Sequence, residues 1–310
     1  MDKVRLTYGV IGGGQGLGGW FARFLRKKEL PVLVSDISGK GDFTDNRELA
    51  RHANVVILAV PIKAMIPVLE EIYPELHGKV LIDVCSVKEF LVERVEQLRE
   101  ENPDQHTYYA SIHPMFAPTM EQLRGQGLLW NYETVLPARF ERFFRGLFSK
   151  DGARWYDVDY RMHDRLMGVV QGLNHFNVFV SAKALRKCGV ALADIKNFAS
   201  PPYRIFIVFF TRYVLQNPAL YADIQMYNRH VAPVLRLFRE EVDRLLTIIE
   251  NQDRPAFTEY VNEMQPYFEP NQDDSALSSH LIHQLGVYLD RARKAESQQA
   301  TAEVEGTKKS

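Results

Sequence analysis

Cysteine is nearly missing from this chain: Cys85 and Cys188 are the two in 310 residues, far apart and without a second cysteine or a histidine at metal-ligand spacing. That excludes a disulfide scaffold, gives no reason to expect a metal, and makes a reduced, cytoplasmic protein the simplest expectation. An excess of one charge is missing too. Thirty-eight basic against 39 acidic side chains leave a formal net charge of −1, so no overall field draws the chain to nucleic acid or to an anionic membrane, and any anionic ligand must be held locally. Long apolar runs are also absent. The segment Arg204 to Arg212 has only six apolar residues between its arginines, well short of the roughly 18 a membrane span needs and suited to a buried helix. The start, Met1-Asp2-Lys3-Val4-Arg5, is too polar for the apolar core of a signal peptide. No membrane passage is expected.

What is present is the composition of a globular protein, 46% apolar and 25% charged, in a chain long enough for two domains. The first half alternates β-rich runs with helical spacing. Strands are predicted over 5–11, 31–36, 55–60, 80–84 and 107–112, helices over 20–28, 45–53, 63–73 and 89–101, and a further strand over 155–158. The run Val55-Val-Ile-Leu-Ala-Val60 is apolar on both faces, as a central parallel strand should be. Long helical patterns follow, over 162–188, 201–216, 219–251 and 254–268. The expected fold is α/β: a Rossmann-type doubly wound parallel sheet over 1–158, an all-helical substrate and dimerisation domain over 159–293, and a polar flexible tail over 294–310. The helical half is apolar on more faces than one small domain can bury, notably over 176–184 and 205–210, which points to a second copy of the chain.

Two groups of residues carry chemistry. Between the first predicted strand and helix stands Ile11-Gly12-Gly13-Gly14-Gln15-Gly16-Leu17-Gly18-Gly19, a turn whose backbone N–H groups can approach a pyrophosphate at a helix N-terminus. Gly14, Gly16 and Gly19 fit the G-x-G-x-x-G spacing, and Gly12, Gly16 and Gly18 fit G-x-x-x-G-x-G equally well. Asp36 ends the second predicted strand, where a carboxylate accepts from a ribose 2′-hydroxyl and repels a 2′-phosphate, favouring NAD over NADP; Lys40 nearby softens that preference. The expected cofactor residues are Gly12, Gly13, Gly14, Gly16, Leu17, Gly18 and Asp36. The second group is Ser86-Val87-Lys88, Ser111-Ile112-His113-Pro114 and the helical run carrying His163, Asp164, Gln171 and His175. His113, directly after a strand, is placed like an acid or base, or else is a satisfied structural histidine. His163-Asp164 either caps and anchors its helix or takes part in catalysis, and His175 is either buried and hydrogen-bonded or in the site. Arg204, next to apolar surface, needs an anion, either a substrate carboxylate or a structural acid.

These segments, with Gly-Leu-Gly-x-Trp-Phe-Ala-Arg-Phe-Leu in the first turn and helix, Asp83-Val-Cys-Ser-Val-Lys88, His113-Pro-Met-Phe-Ala-Pro118, His163-Asp-Arg-Leu-Met, Gln171-Gly-Leu-Asn-His175-Phe, Ser200-Pro-Pro-Tyr-Arg204 and Asn217-Pro-Ala-Leu-Tyr-Ala-Asp-Ile, stand in the order seen in prephenate dehydrogenases. The chain resembles that family from about Tyr8 to Phe268. The resemblance implies NAD-dependent oxidative decarboxylation of a cyclohexadienyl dicarboxylate, without a metal. It gives His113 the C4 hydroxyl proton, has Ser86 orient that imidazole, pairs Arg204 with a substrate carboxylate and lays His175 against the substrate; Lys88 is a second, looser candidate cation. Ala117 stands where the family usually has glycine, and the glycine turn differs from the bacterial spacing. Prephenate is the expected substrate, with 4-amino-4-deoxyprephenate and arogenate as alternatives. A non-catalytic NAD-binding sensor is the competing reading. A monofunctional homodimer without a tyrosine-sensing domain is expected.

Overall fold

The computed structural model of the chain describes residues 6–131 and 136–307, with Lys294 the last side chain described; the polar start Met1–Arg5 and the last three residues of the expected tail lie outside the described residues. The strands are β1 (Tyr8–Ile11), β2 (Val32–Ser35), β3 (Val55–Leu58), β4 (Val80–Asp83), β5 (Tyr108–Pro114), β6 (Gly127–Asn131) and β7 (Arg154–Val158). They form one sheet in the order β2-β1-β3-β4-β5-β6-β7. Helices α1 (Gly16–Lys27), α2 (Asn46–His52), α3 (Met65–Ile72), α4 (Glu89–Glu101) and α5 (Ala138–Ser149) are interleaved with it. Then come α6 (Tyr160–Met167), α7 (Asn174–Lys187), α8 (Leu192–Phe198), α9 (Pro201–Val214), α10 (Pro218–Tyr227), α11 (Val231–Glu250), α12 (Arg254–Asn262), α13 (Gln265–Phe268) and α14 (Asp274–Thr307).

Both faces of the sheet are buried over β1 and β3–β5, and alternate residues of each strand choose the face. Val10, Val55, Ile57, Val80 and Ile82 join Phe21, Leu25, Phe144 and Phe148 of α1 and α5 on one side. Ile11, Val56, Leu58 and Leu81 join Leu49, Leu69, Leu91 and Val95 of α2, α3 and α4 on the other. This three-layer packing is what continuous apolar strands require. Because β1 has β2 on one side and β3 on the other, the strand order reverses at β1, and the crevice beyond its carboxyl end is where such sheets bind ligands.

The sheet departs from the wholly parallel expectation at β6, which pairs antiparallel with β5. The stretch between them carries Pro118 and Gly125 and forms no helix, so the chain turns back directly; α5 then serves as the crossover to β7, which runs parallel to β6. Neither β6 nor α5 was expected from the sequence.

The chain packs as two units, residues 1–174 with 217–235, and residues 175–216 with 236–310. The first therefore extends past the expected boundary at residue 158, because α6 and α10 pack with α4 and with the short turn before α3. The predicted helix over 162–188 is interrupted by a π-helical turn, Gly168–Leu173, and the one over 219–251 breaks at Asn228. The stretch read as a flexible tail from Lys294 is helical through Thr307. Among the described residues, no helix is long and apolar enough to cross a membrane.

Candidate active site

The glycine turn links β1 to α1. Gly12 and Gly13 both donate to the Ser35 carbonyl, at 2.8 and 3.2 Å, tying the turn to the end of β2. Gly12 has φ +78°, and a side chain there would lie 2.6 Å from the Ala59 carbonyl; a side chain at Gly18 would collide with the Gly12 carbonyl. A side chain at Gly19 would find its nearest neighbours at 3.3 Å. Side chains at Gly13 and Gly14 would also be crowded, at 2.8 Å from Val34 and 2.7 Å from Asp36, whereas Gly16, which opens the helix, faces open space and needs glycine for its φ of +59°. Asp36 follows β2 and is buried. Its carboxylate accepts from the Gly14 and Ser38 backbone N–H groups at 3.0 and 2.9 Å. Burial opposes ionisation of Asp36, but the Ser38 and Gly14 hydrogen bonds and the charge of Lys40 together hold its carboxyl below the usual range. A cleft beside the turn is lined by Gly13, Gly14, Arg23, Arg26, Lys40 and Asp42; Asp42 lies 3.7 Å from Arg26, and the three cations outnumber that one acid.

At the carboxyl ends of β4 and β5 lies a buried polar cluster. His113 belongs to β5 itself, one residue before its end. Its Nδ1 lies 2.9 Å from Nε2 of His163, and Nδ1 of His163 lies 2.7 Å from Oδ1 of Asp164. The Asp164 carboxylate in turn accepts from the backbone N–H groups of Lys88 and Glu89 at 2.9 Å each, so it sits on the positive end of α4. Asn228 fastens the same stretch of α6 by donating to the Asp164 carbonyl at 2.8 Å. On the other side of His113, Gln171 of the π-helical turn brings Nε2 to 3.4 Å from His113 Nε2.

Burial, the neighbouring His163 and the Lys88 ammonium hold His113 well below the ordinary imidazole pKa. Burial, with Lys88, also lowers His163 against the opposing pull of Asp164. Both rings are neutral at pH 7, the state a proton acceptor needs.

Two expected residues take other places. The Lys88 ammonium is 1% exposed, paired with Asp83 at 2.6 Å and bonded to the Ile112 carbonyl at 2.7 Å; Asp83 also accepts from the Tyr109 hydroxyl at 2.6 Å. It is therefore enclosed by protein and does not serve as a substrate cation. Ser86 is partly exposed in the β4–α4 loop and bonds neither ring nitrogen of His113; His163 holds the ring instead. Cys85 beside it is buried, and burial pushes its thiol to about 12, far from a thiolate nucleophile.

His175 and Arg204 lie in the second unit. His175 is buried with its ring 5.3 Å from that of Tyr213, and burial lowers it to about 4. Arg204 is in the first turn of α9 and half-buried, and among the described residues no carboxylate pairs with it. The structural-acid reading of Arg204 finds no partner there. No group of His, Cys, Asp and Glu among the described residues could hold a metal ion.

Sequence reasoning gave no role to Trp20. In the first turns of α1, its indole donates to the Met120 carbonyl at 2.7 Å and its ring packs 4.9 Å from Phe116, clamping the stretch after His113 to the helix that follows the glycine turn. A lone tryptophan just past a glycine turn was the available signal.

Two family models match the chain. The prephenate dehydrogenase nucleotide-binding domain matches residues 36–125, and the prephenate dehydrogenase dimerization domain matches residues 159–263. A probable arogenate/prephenate dehydrogenase of Methanocaldococcus jannaschii is 34% identical over 281 residues, covering 86% of this chain and 62% of that protein. The T-protein of Haemophilus influenzae is 29% identical, covering 84% of this chain and 66% of its own. The chain thus spans about two thirds of the length of these relatives. Among solved structures, prephenate dehydrogenase from A. aeolicus, in complex with hydroxyphenyl propionate and NAD+, shares the fold with a TM-score of 0.66 at 18% identity, covering 86% of this chain and 98% of that one.

Proposed function

From the premise that this chain belongs to the prephenate dehydrogenase family, we propose that it oxidatively decarboxylates prephenate to 4-hydroxyphenylpyruvate, with His113 as the proton acceptor. The observation that carries this is a neutral, buried imidazole at the carboxyl edge of the sheet, with Nδ1 engaged by His163 and Nε2 turned the other way.

The cofactor is NAD. Gly12 and Gly18 let the turn pack tightly against its own backbone and the Ala59 carbonyl, where side chains would collide, and the ionised Asp36 suits a ribose 2′-hydroxyl and opposes a 2′-phosphate. When bound, NAD accepts the hydride from C4. His113 Nε2 accepts the C4 hydroxyl proton as the hydride leaves, which stabilises the charge growing at that carbon. The C1–carboxylate bond then breaks to release CO2, its electron pair passes through the ring to the C4 oxygen, and His113 returns the proton to give the phenol. Prephenate and NAD+ thus become 4-hydroxyphenylpyruvate, CO2 and NADH with no net proton released. Aromatisation supplies the driving force, so the protein's work is to position and to hold one proton.

Arg204 is assigned to a substrate carboxylate, in keeping with a guanidinium that meets no acid among the described residues. His175, neutral and buried, is assigned to the substrate's surroundings. The second unit buries only His175, Val178 and Ile207 among its described residues, while Phe198, Phe206 and Phe209 stand 90%, 53% and 47% exposed. That supports a homodimer formed through the helices.

NADH formation should be measured side by side with prephenate, 4-amino-4-deoxyprephenate and arogenate. The expected result is a kcat/KM highest for prephenate. A rate far higher with either amino compound would overturn the substrate assignment, and no rate with any of them would overturn the function.

A further inference from the structure

We propose that His163 and Asp164 are positioning residues that fix the order of protons along the chain Asp164–His163–His113, so that His113 always presents Nε2 without a proton. The inference rests on the reading of His113 as the proton acceptor and adds what makes it one.

The argument starts from donors and acceptors. Asp164 Oδ1 lies 2.9 Å from the Lys88 N–H and 2.7 Å from His163 Nδ1, and Oδ2 takes the Glu89 N–H at 2.9 Å. A carboxylate held by backbone N–H groups only accepts, so the hydrogen between it and His163 sits on the imidazole at Nδ1. A neutral imidazole has one N–H, which leaves His163 Nε2 as an acceptor. The 2.9 Å contact between that atom and His113 Nδ1 then requires the hydrogen on His113 Nδ1. His113 Nε2 is left with a lone pair.

Other groups around the two rings act in the same direction. The Lys88 ammonium is buried in the same cluster, bonded to Asp83 and the Ile112 carbonyl, and its charge opposes a second proton on either ring. Asp83, the other acid of this cluster, is taken up by Lys88 and by the Tyr109 hydroxyl. Cys85 is an unionised thiol, and Gln171 cannot titrate. The reference point of the whole chain is thus the N-terminus of α4, whose two N–H groups cannot reverse direction. Had Asp164 only anchored α6 to α4, its two backbone contacts would suffice, and its bond to a histidine that itself bonds a second histidine would have no consequence.

Asp164→Asn separates the two roles. Its carbonyl can still accept from the α4 N–H groups, but its amide then donates to His163 Nδ1. That reverses every link and places a hydrogen on His113 Nε2, the atom that must accept one. The expected result is a kcat for NADH formation lower by about 10²-fold or more, with NAD affinity within about twofold of the unaltered protein.

The direct readout is the nitrogen-15 spectrum of the histidines without substrate, at a pH well above the imidazole range. In the unaltered protein His113 and His163 should both show a protonated Nδ1 and a bare Nε2, and in Asp164→Asn both should exchange. A protonated Nε2 on His113 in the unaltered protein overturns the proposal, whether or not the variant folds. So does a variant that keeps full kcat, or one that loses kcat with both tautomers unchanged. These spectra do not depend on turnover: the expected tautomers in a chain inactive on all three substrates would remove the functional reading and leave the proton order standing.

Discussion

The two units of this chain solve burial differently. In the first, the sheet and its helices enclose an interior on both faces, down to a charged pair, Lys88–Asp83, and a histidine pair that see almost no solvent. In the second, long helices bury three described residues and leave large aromatic side chains in water. A closed interior can hold polar groups in one arrangement, because a misplaced buried donor or acceptor costs about 1–3 kcal/mol. An open one leaves apolar surface available to a partner. The histidine pair accordingly sits in the first unit, and the second presents its large apolar side chains to solvent.

The largest expected effect sharpens that contrast. His113→Asn should lower turnover by about 10²- to 10⁴-fold while calorimetric titration finds NAD affinity nearly unchanged; full turnover would move the chemistry elsewhere. Next is packing. Phe148→Ala, at a fully buried ring stacked 4.6 Å from Phe24, should cost about 3–5 kcal/mol in urea unfolding. Phe206→Asp with Phe209→Asp should leave the first unit folded and shift the sedimenting species from dimer to monomer. A dimer that persists through the double change would place its interface on another face. Arg204→Gln should raise the substrate KM about 10- to 100-fold, the worth of a charged hydrogen bond, with kcat little changed; a loss of stability alone would make it structural.

The smallest effect concerns pH. His175, lowered to about 4 by burial, is neutral in the folded chain and would be protonated more readily once unfolded. Its contribution is fully present above its ordinary pKa of about 6.5 and is lost as pH falls from there toward 4. His113 and His163 act in the same direction. Unfolding midpoints should therefore fall over that interval, and the decline from His175 should vanish in His175→Asn.

Much of the first unit was legible because strand and helix periods alternate and glycine marks the first turn; α4 falls on 89–101 as the spacing indicates. The antiparallel β6 was not, since nothing local in Gly127–Asn131 states the direction of its neighbour. The places of His113 and Asp36 at the carboxyl ends of strands were legible in the sequence. The fate of Lys88 was not: its sequence neighbours do not reveal that Asp83 and the Ile112 carbonyl close around it. Ser86 was expected to hold His113 by resemblance, whereas the nitrogen in question goes to His163, fifty residues away along the chain. Such long-range pairings depend on which helix packs over which strand end, and a single sequence does not state that.

The most direct measurement of the central claim follows NADH, CO2 and the organic product together, in one reaction of the chain with prephenate and NAD. Equal amounts of NADH, CO2 and 4-hydroxyphenylpyruvate are expected. Release of CO2 without NADH, or no consumption of prephenate by the folded chain, would contradict the account.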